Sequence, residues 1–357
     1  MGHHDSFLKR FRTHLGTLSP FPEHVVVAVS GGADSTALLR LIDGCGVWAK
    51  EKITVAHFDH GLRACSVDDA RFTEQLAEQL GLEIVVGHWQ NSDRHKGNTA
   101  SRARQARYDF LMETADQVDA HWIMTGHHRD DQAETVMERL MRGSGLQGLS
   151  GIRSKRPLTD AATMGTGKRD YQLVRPLLIF FRYELEGWLA GLDAAWINDP
   201  SNRKTVGMRN RLRLHGLPAL QKMCDPGLND RLAHMAENMQ RADSALEWSV
   251  AQIWNDLGIQ FSHDSCSDAE EMCRLEIKKL DNLPDELILR LLQRIHNQLT
   301  KQDFSPGRRA RNSFLAMLNS PKRQWQMRIR GLSISRHLDY LQFVCHGTGQ
   351  ACCHSNH

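Results

Sequence analysis

Residues 25–39 read VVVAVSGGADSTALL. The first five are β-branched or small apolar residues, the pattern of a buried strand. Ser30 closes that strand, Gly31 and Gly32 let the backbone turn tightly, and an apolar helix opens at Ala33. The first turn of a helix leaves its backbone N–H groups unpartnered at the positive end of the helix dipole. Strand, double glycine and helix in this order make an anion cradle, whose natural occupant is a polyphosphate. Ser30, Gly31, Gly32, Ala33, Asp34 and Ser35 are its expected contacts. The stretch has neither the lysine-bearing G-x-x-x-x-G-K-[ST] loop nor the G-x-G-x-x-G dinucleotide fingerprint. A plain glycine-rich turn is the bland alternative.

The alternation continues outward. After a helix to about residue 42 come strands at 53–58 (ITVAHF), 82–89 (LEIVVGHW) and 121–126 (HWIMTG), separated by helical stretches at 67–80 and about 99–115. A helix follows at about 130–142. Strands separated by helices imply an α/β fold with a parallel sheet, whose ligands sit beyond the carboxyl ends of the strands. Residues 153–170 are polar and rich in Gly, Thr and Lys/Arg, an exposed excursion. A helix is expected over 176–192, a long one over 228–257 and another over 284–299, and the alternating end suggests a small terminal hairpin. The expected division is a catalytic domain over 1–220, a mainly helical domain over 221–300 and a basic C-terminal segment over 301–357 with a disordered tail.

A chain of 357 residues suggests two or three domains. No apolar run approaches the ~20 residues of a membrane span, and the first residues lack a continuous apolar stretch, so neither a membrane nor a secretory signal is expected. Eight cysteines without a C-x-x-C pair argue against a zinc ribbon or a disulfide framework, and a cytoplasmic location follows as the default. Cys352, Cys353, His354 and His357 near the end are read as a frayed tail rather than a metal site. Net charge is only +3, yet 301–344 carries nine Lys or Arg against Asp303 and Asp339. That excess of seven suits a face that meets phosphates, with solvated surface arginines as the equal alternative.

Four groups of residues carry chemistry. Asp34 stands inside the phosphate turn, where a carboxylate is repulsive unless a cation intervenes, so it reads as a Mg²⁺ ligand, with helix capping as its alternative. At the end of the fourth strand the run TGHHRDDQAE places Asp131 and Glu134 one helical turn apart, with His127 just before them. A cation shared by Asp34 and Asp131 would neutralise a triphosphate; a capping arrangement is again the competing reading. In AHFDHGLR after the second strand, Ala56, His60 and Arg63 could face an adenine or a phosphate. In NTASRARQARY, Arg104 and Arg107 share a helix face suited to phosphate or carboxylate binding.

The segments SGGADS, HFDHGLR, ASRARQARY, TGHHRDDQAET, RLMRGSGLQGLSGI, VRPLL, DPSN and MRNRLR, in this order, resemble those of the tRNA(Ile)-lysidine synthetases, a family of PP-loop ATP pyrophosphatases. The likeness covers about 24–220 and extends more loosely to the helical region beyond. Two features depart from the pattern: the 153–170 excursion is long, and the tail after Leu332 is short for an additional C-terminal domain. The resemblance implies a PP-loop fold and a two-step reaction, in which ATP adenylates the C2 oxygen of the wobble cytidine in the CAU anticodon of tRNA(Ile) and L-lysine then displaces AMP. It implies ATP and Mg²⁺ as cofactors, with Asp34 and Asp131 on the metal. His127 and Glu134 would orient substrate or move protons. Arg104, Arg107, Arg142, Arg203, Arg209, Arg211 and Arg213 would meet lysine or RNA, joined by Arg308 and Arg309 of the basic segment. The target base must leave its stack to reach the loop. A homodimer is left open.

Three other readings of these residues compete. A tRNA thiolase would need a reactive cysteine or an iron–sulfur set, and Cys45 and Cys65 are isolated. A small-molecule amide ligase has no use for the basic end. A passive ATP sensor has little use for the carboxylates at 34, 131 and 134.

Overall fold

Val25 and Val27 bury themselves in one hydrophobic cluster and Val26 in another, so the opening strand is apolar on both faces. Such a strand needs helices above and below it. The computed structural model describes residues 3–61, 66–89, 99–158, 170–198, 207–259, 261–263, 271–302 and 304–345. Two compact units, Met1–Gln240 and Arg241–His357, make up the chain. This boundary falls inside a helix and does not coincide with the expected divisions near 220 and 300.

The first unit runs α1 (His3–Gly16), β1 (Val25–Ala28), α2 (Ala33–Cys45), β2 (Ile53–Asp59), α3 (Ser66–Leu80), β3 (Glu83–His88), α4 (Thr99–Gln117), β4 (Trp122–Met124) and α5 (Arg129–Met141). Then come α6 (Leu146–Leu149), β5 (Lys155–Leu158), β6 (Tyr171–Val174), α7 (Arg182–Gly191), α8 (Met208–Arg211), a π-helical turn (Leu212–Gly216) and α9 (Leu217–Met223). α10 (Leu228–Leu257) begins in this unit and ends in the next.

The sheet order is β3-β2-β1-β4-β6-β5, parallel except for β5 against β6. β1 is flanked by β2 in register Val25↔Ile53 and by β4 in register Val25↔Trp122. The chain therefore leaves β1 toward one edge and returns on its other side, which puts the topological switch point between the ends of β1 and β4. One core layer joins α1, α2 and α7 to the sheet through Phe11, Leu38, Leu41 and Leu189. The other joins α4 through Tyr108, Leu111 and Ala115.

Two local expectations change. The helix expected over 176–192 begins only at Arg182. The residues before it form turns, and the Phe180 carbonyl accepts the Arg129 N–H at 2.8 Å, tying them to the start of α5. Of the 153–170 excursion, 155–158 form edge strand β5, and 159–169 lie outside the described residues, as do 346–357 with the Cys/His tail.

The second unit holds β7 (Phe261–His263), β8 (Glu271–Glu276), α11 (Asp285–Thr300), α12 (Arg308–Leu318), β9 (Gln324–Ile329), β10 (Leu332–His337) and β11 (Tyr340–Cys345). The expected hairpin is a three-stranded antiparallel meander, extended by β8 and β7 into the order β7-β8-β11-β10-β9. Leu332, Ile334, Leu341 and Phe343 pack with Ile288, Leu291, Leu292 and Ile295 of α11 in one core. The meander cannot bury that apolar face by itself, so it shares a sheet with residues 70 positions upstream (Phe343 pairs with Cys273). Among the described residues no helix is long and apolar enough to cross a membrane.

Candidate active site

Gly31, at φ +82°, allows the turn between β1 and α2. A Cβ there would run into Ile197, whose N–H donates to the Gly31 carbonyl at 2.8 Å. The Ser35 hydroxyl accepts the Ser30 N–H at 3.1 Å and donates to the Gly32 carbonyl at 3.0 Å; Thr36 Oγ1 donates to the Gly31 carbonyl at 3.2 Å. Gly32 is the N-cap of α2, so no side chain caps the helix and Asp34 is not engaged as a cap. This free helix start borders a pocket of about 260 Å³, lined on this side by Ser30, Gly32, Asp34 and Ser35.

The turn after β4 supplies the opposite wall with Thr125, Gly126 and His127, joined by Asp131 of α5. Gly126 has no room for a side chain, because a Cβ would lie 3.0 Å from the Asp34 backbone. That close approach brings Asp34 and Asp131 to one imidazole. His128, 2% exposed, has Nε2 at 3.7 Å from Asp34 Oδ2 and 3.5 Å from Asp131 Oδ2, and Nδ1 at 3.5 Å from Asp130 Oδ2. Burial disfavours its charged form, yet Asp131, Asp130 and Asp34 together raise its pKa above the ordinary value. His127 goes the other way. Burial drives it down to about 3, against the pull of Asp131, and it stays neutral, paired through Nδ1 with Thr125 Oγ1 at 2.9 Å.

Asp131 works twice. Oδ2 accepts the His128 N–H at 2.9 Å, closing the start of α5, and Oδ1 takes Arg209 at 2.6 Å and Arg213 at 3.3 Å. Glu134, 1% exposed, lies beyond the cap and receives Arg209 Nε at 2.8 Å and Arg213 Nε at 2.6 Å. Burial again opposes ionisation of Asp131, but His128 and Arg209 hold its carboxyl below the usual range. Asp34 differs from both. Its Oδ1 is buried with no hydrogen-bond partner, and burial raises its pKa despite His128 and Arg182.

Ala56, His60 and Arg107 also line the pocket. Arg104 is exposed on α4 beside Tyr108. Arg142 sits at the far end of α5 paired with Glu138 at 2.5 Å, outside the pocket lining. Arg211 is exposed on α8; Arg308 and Arg309 are exposed at the start of α12, in the second unit. Arg63 and Arg203 lie outside the described residues. Arg209, which lines the pocket, and Arg213, both read from sequence as phosphate grips, are ion-paired with Asp131 and Glu134. Reading by motif missed His128 as the residue joining the two carboxylates. It also missed Arg175 just beyond β6, which the strand-end rule could have found.

An uncapped helix start and a carboxylate set at a switch point define a nucleotide-binding α/β site, and residues 7–220 match the family model described as PP-loop domain. The tRNA(Ile)-lysidine synthase of Novosphingobium aromaticivorans is 36% identical over 80% of this chain and 79% of its own length. That of Bradyrhizobium diazoefficiens is 36% identical over 77% and 73%. A U34-tRNA thiolase from Methanococcus maripaludis has a similar fold, with a TM-score of 0.53 at 16% identity over 66% of this chain and 80% of its own. The chain belongs to the tRNA(Ile)-lysidine synthase family of PP-loop proteins.

Proposed function

We propose that this protein joins L-lysine to C2 of the wobble cytidine in the CAU anticodon of tRNA(Ile), consuming ATP and releasing AMP and pyrophosphate. One observation of the fold carries the reading. The uncapped start of α2 opens into the pocket where Asp34 and Asp131 meet on one imidazole. Ser30–Ser35 bind the triphosphate through backbone N–H groups and hydroxyls. Ala56 and His60, across the pocket, face the nucleoside end.

The unpartnered, buried Asp34 Oδ1 fits a cation ligand. Mg²⁺ commonly takes one or two carboxylates and completes its shell with phosphate oxygens and water, so the set need not be larger. Asp34 and Asp131 would hold Mg²⁺, which when bound neutralises the charge of the triphosphate.

His128, whose protonated form the surrounding carboxylates favour, lies between Asp34 and Asp131. His127, neutral at physiological pH, offers an uncharged ring to the incoming base or amine. Glu134 and Asp131 give the acidic surface that suits a lysine ammonium, currently matched by two guanidinium groups. Arg308 and Arg309, in the basic stretch of the second unit, meet RNA phosphates. The site of action is the cytoplasm. A thiolase reading finds no support at Cys45, which is buried and whose thiol burial pushes up.

The test is incubation of the full chain with ATP, labelled lysine and a tRNA(Ile) transcript bearing CAU, followed by nucleoside mass analysis. A lysine-sized gain on one cytidine is expected; an unmodified transcript overturns the reading.

A further inference from the structure

Arg104, Arg107, Arg156 and Arg175 converge on one buried phenol. The Arg104 and Arg107 guanidinium carbons lie 5.0 Å and 5.3 Å from the Tyr108 ring centroid, and Arg104 Nη2 donates to Tyr108 Oη at 3.3 Å. Arg156 on β5 and Arg175 just past β6 act on the same phenol from the sheet side. β5 and β6 hold those two together: Lys155 pairs with Val174, and the Arg175 N–H donates to the Ser154 carbonyl at 2.8 Å. Among the described residues none of the four arginines has a carboxylate partner. The Nε atoms of Arg107 and Arg175 are buried without a hydrogen bond. Arg175, 5% exposed, is pushed down to about 10 by burial and by Arg156. The Tyr108 phenol is lowered in spite of burial by Arg104 and Arg107.

Packing like charges with empty donors costs stability, and a site that keeps such an arrangement is built for an anion. The geometry points to a phosphodiester site made by Arg104, Arg107 and Arg156 around Tyr108, with Arg175 setting the charge behind it, which takes a backbone phosphate of the RNA substrate beside the base being modified. This rests on the proposed function. Arg107 lines the nucleotide pocket, so the site opens where the base must enter. The triphosphate already has the α2 cradle. A free amino acid would bring an α-ammonium next to its carboxylate, and this cluster offers that ammonium no acidic partner. A phosphodiester carries no such cation, and planar guanidinium forks fit its oxygens.

The experiment uses the full chain with Arg104→Gln, at an exposed position, and Arg156→Gln, at a partly exposed one, and checks that melting temperatures match wild type. A CAU anticodon stem-loop RNA is titrated at several salt concentrations. Each variant is expected to bind about five- to tenfold more weakly, with the salt slope reduced by about one, while KM for lysine stays within about twofold. A methylphosphonate placed beside the wobble cytidine is expected to weaken wild type similarly and to add nothing to Arg156→Gln. Unchanged RNA affinity in both variants overturns the inference. So does a raised KM for lysine with normal RNA affinity, which would assign the arginines to the amino-acid carboxylate. A wild-type protein that makes no lysidine refutes the proposed function instead, and the stem-loop titration still decides this site.

Discussion

Two sets of arginines, each with one member in the lining of the nucleotide pocket, are treated in opposite ways. Arg209 and Arg213 are saturated by Asp131 and Glu134, and despite burial those carboxylates raise their pKa values. Arg104, Arg107, Arg156 and Arg175 have no carboxylate partner among the described residues, and Arg175 is depressed. The first set joins α8 and the π-helical turn to α5 and spends its charge inside the protein. The second set keeps its charge for a ligand. The paired arginines tie elements together and the unpaired ones are left for a ligand, although both sets look alike in sequence.

The sharpest way to test that contrast is from the acidic side. Asp34 is the carboxylate of the site that no arginine pairs, with one oxygen buried and unpartnered. Asp34→Asn should lower lysidine formation by about 10²–10³-fold, the usual loss when a preorganised charge is removed from a reacting centre. Its melting temperature should stay level or rise, because a desolvated charge is lost. A variant that turns over normally, or that melts early, would place Asp34 among the compensated residues.

Glu134→Ala should do the reverse. It strips two guanidinium groups of their main acceptor, and because both are partly exposed the cost is discounted to about 2–3 kcal/mol. For a protein of this size that lowers the melting temperature by about 3–4 °C. Arg175→Met, by contrast, removes a charge that nothing neutralises, and should leave stability within about 1 kcal/mol of wild type or raise it. Equal melting losses in the two variants would erase the distinction between the arginine sets.

What could be read from the sequence follows the range of the interaction. The phosphate turn was legible because its strand, glycines and helix are neighbours in the chain. The order of the parallel elements was legible for the same reason. The pairing of Arg209 with Glu134 was not, since it joins residues 75 positions apart, and a lone arginine in sequence reads as solvated or phosphate-bound. β8 was missed because EMCRLE alternates within an acid-rich stretch and gains strand character only when Cys273 pairs with Phe343. His128 was hidden by its neighbour: the HH pair gives no sign that one pKa is driven down and the other up until burial and three carboxylates are placed around them.

The smallest effect concerns a base that is uncompensated for structural reasons. His57 is buried in β2, and its Nδ1–H donates to the Val29 carbonyl at 3.0 Å, bracing the strand end that leads into the phosphate turn. Burial lowers its pKa, outweighing the Val29 bond and the more distant Asp59 and Asp69. The Nδ1 bond survives protonation, so the cost of charging this ring is the burial of the charge itself. With the folded pKa below the unfolded value, His57 leaves stability intact above about pH 6.5 and subtracts from it as pH falls toward the folded pKa, by at most about 1.4 kcal/mol per pH unit. His57→Gln should remove that share of the slope. Urea unfolding at pH 7 and pH 5.5 should show wild type losing about 1 kcal/mol more than the variant. Parallel losses would mean that the ring can charge without leaving its place, and that burial alone does not separate uncompensated groups from compensated ones.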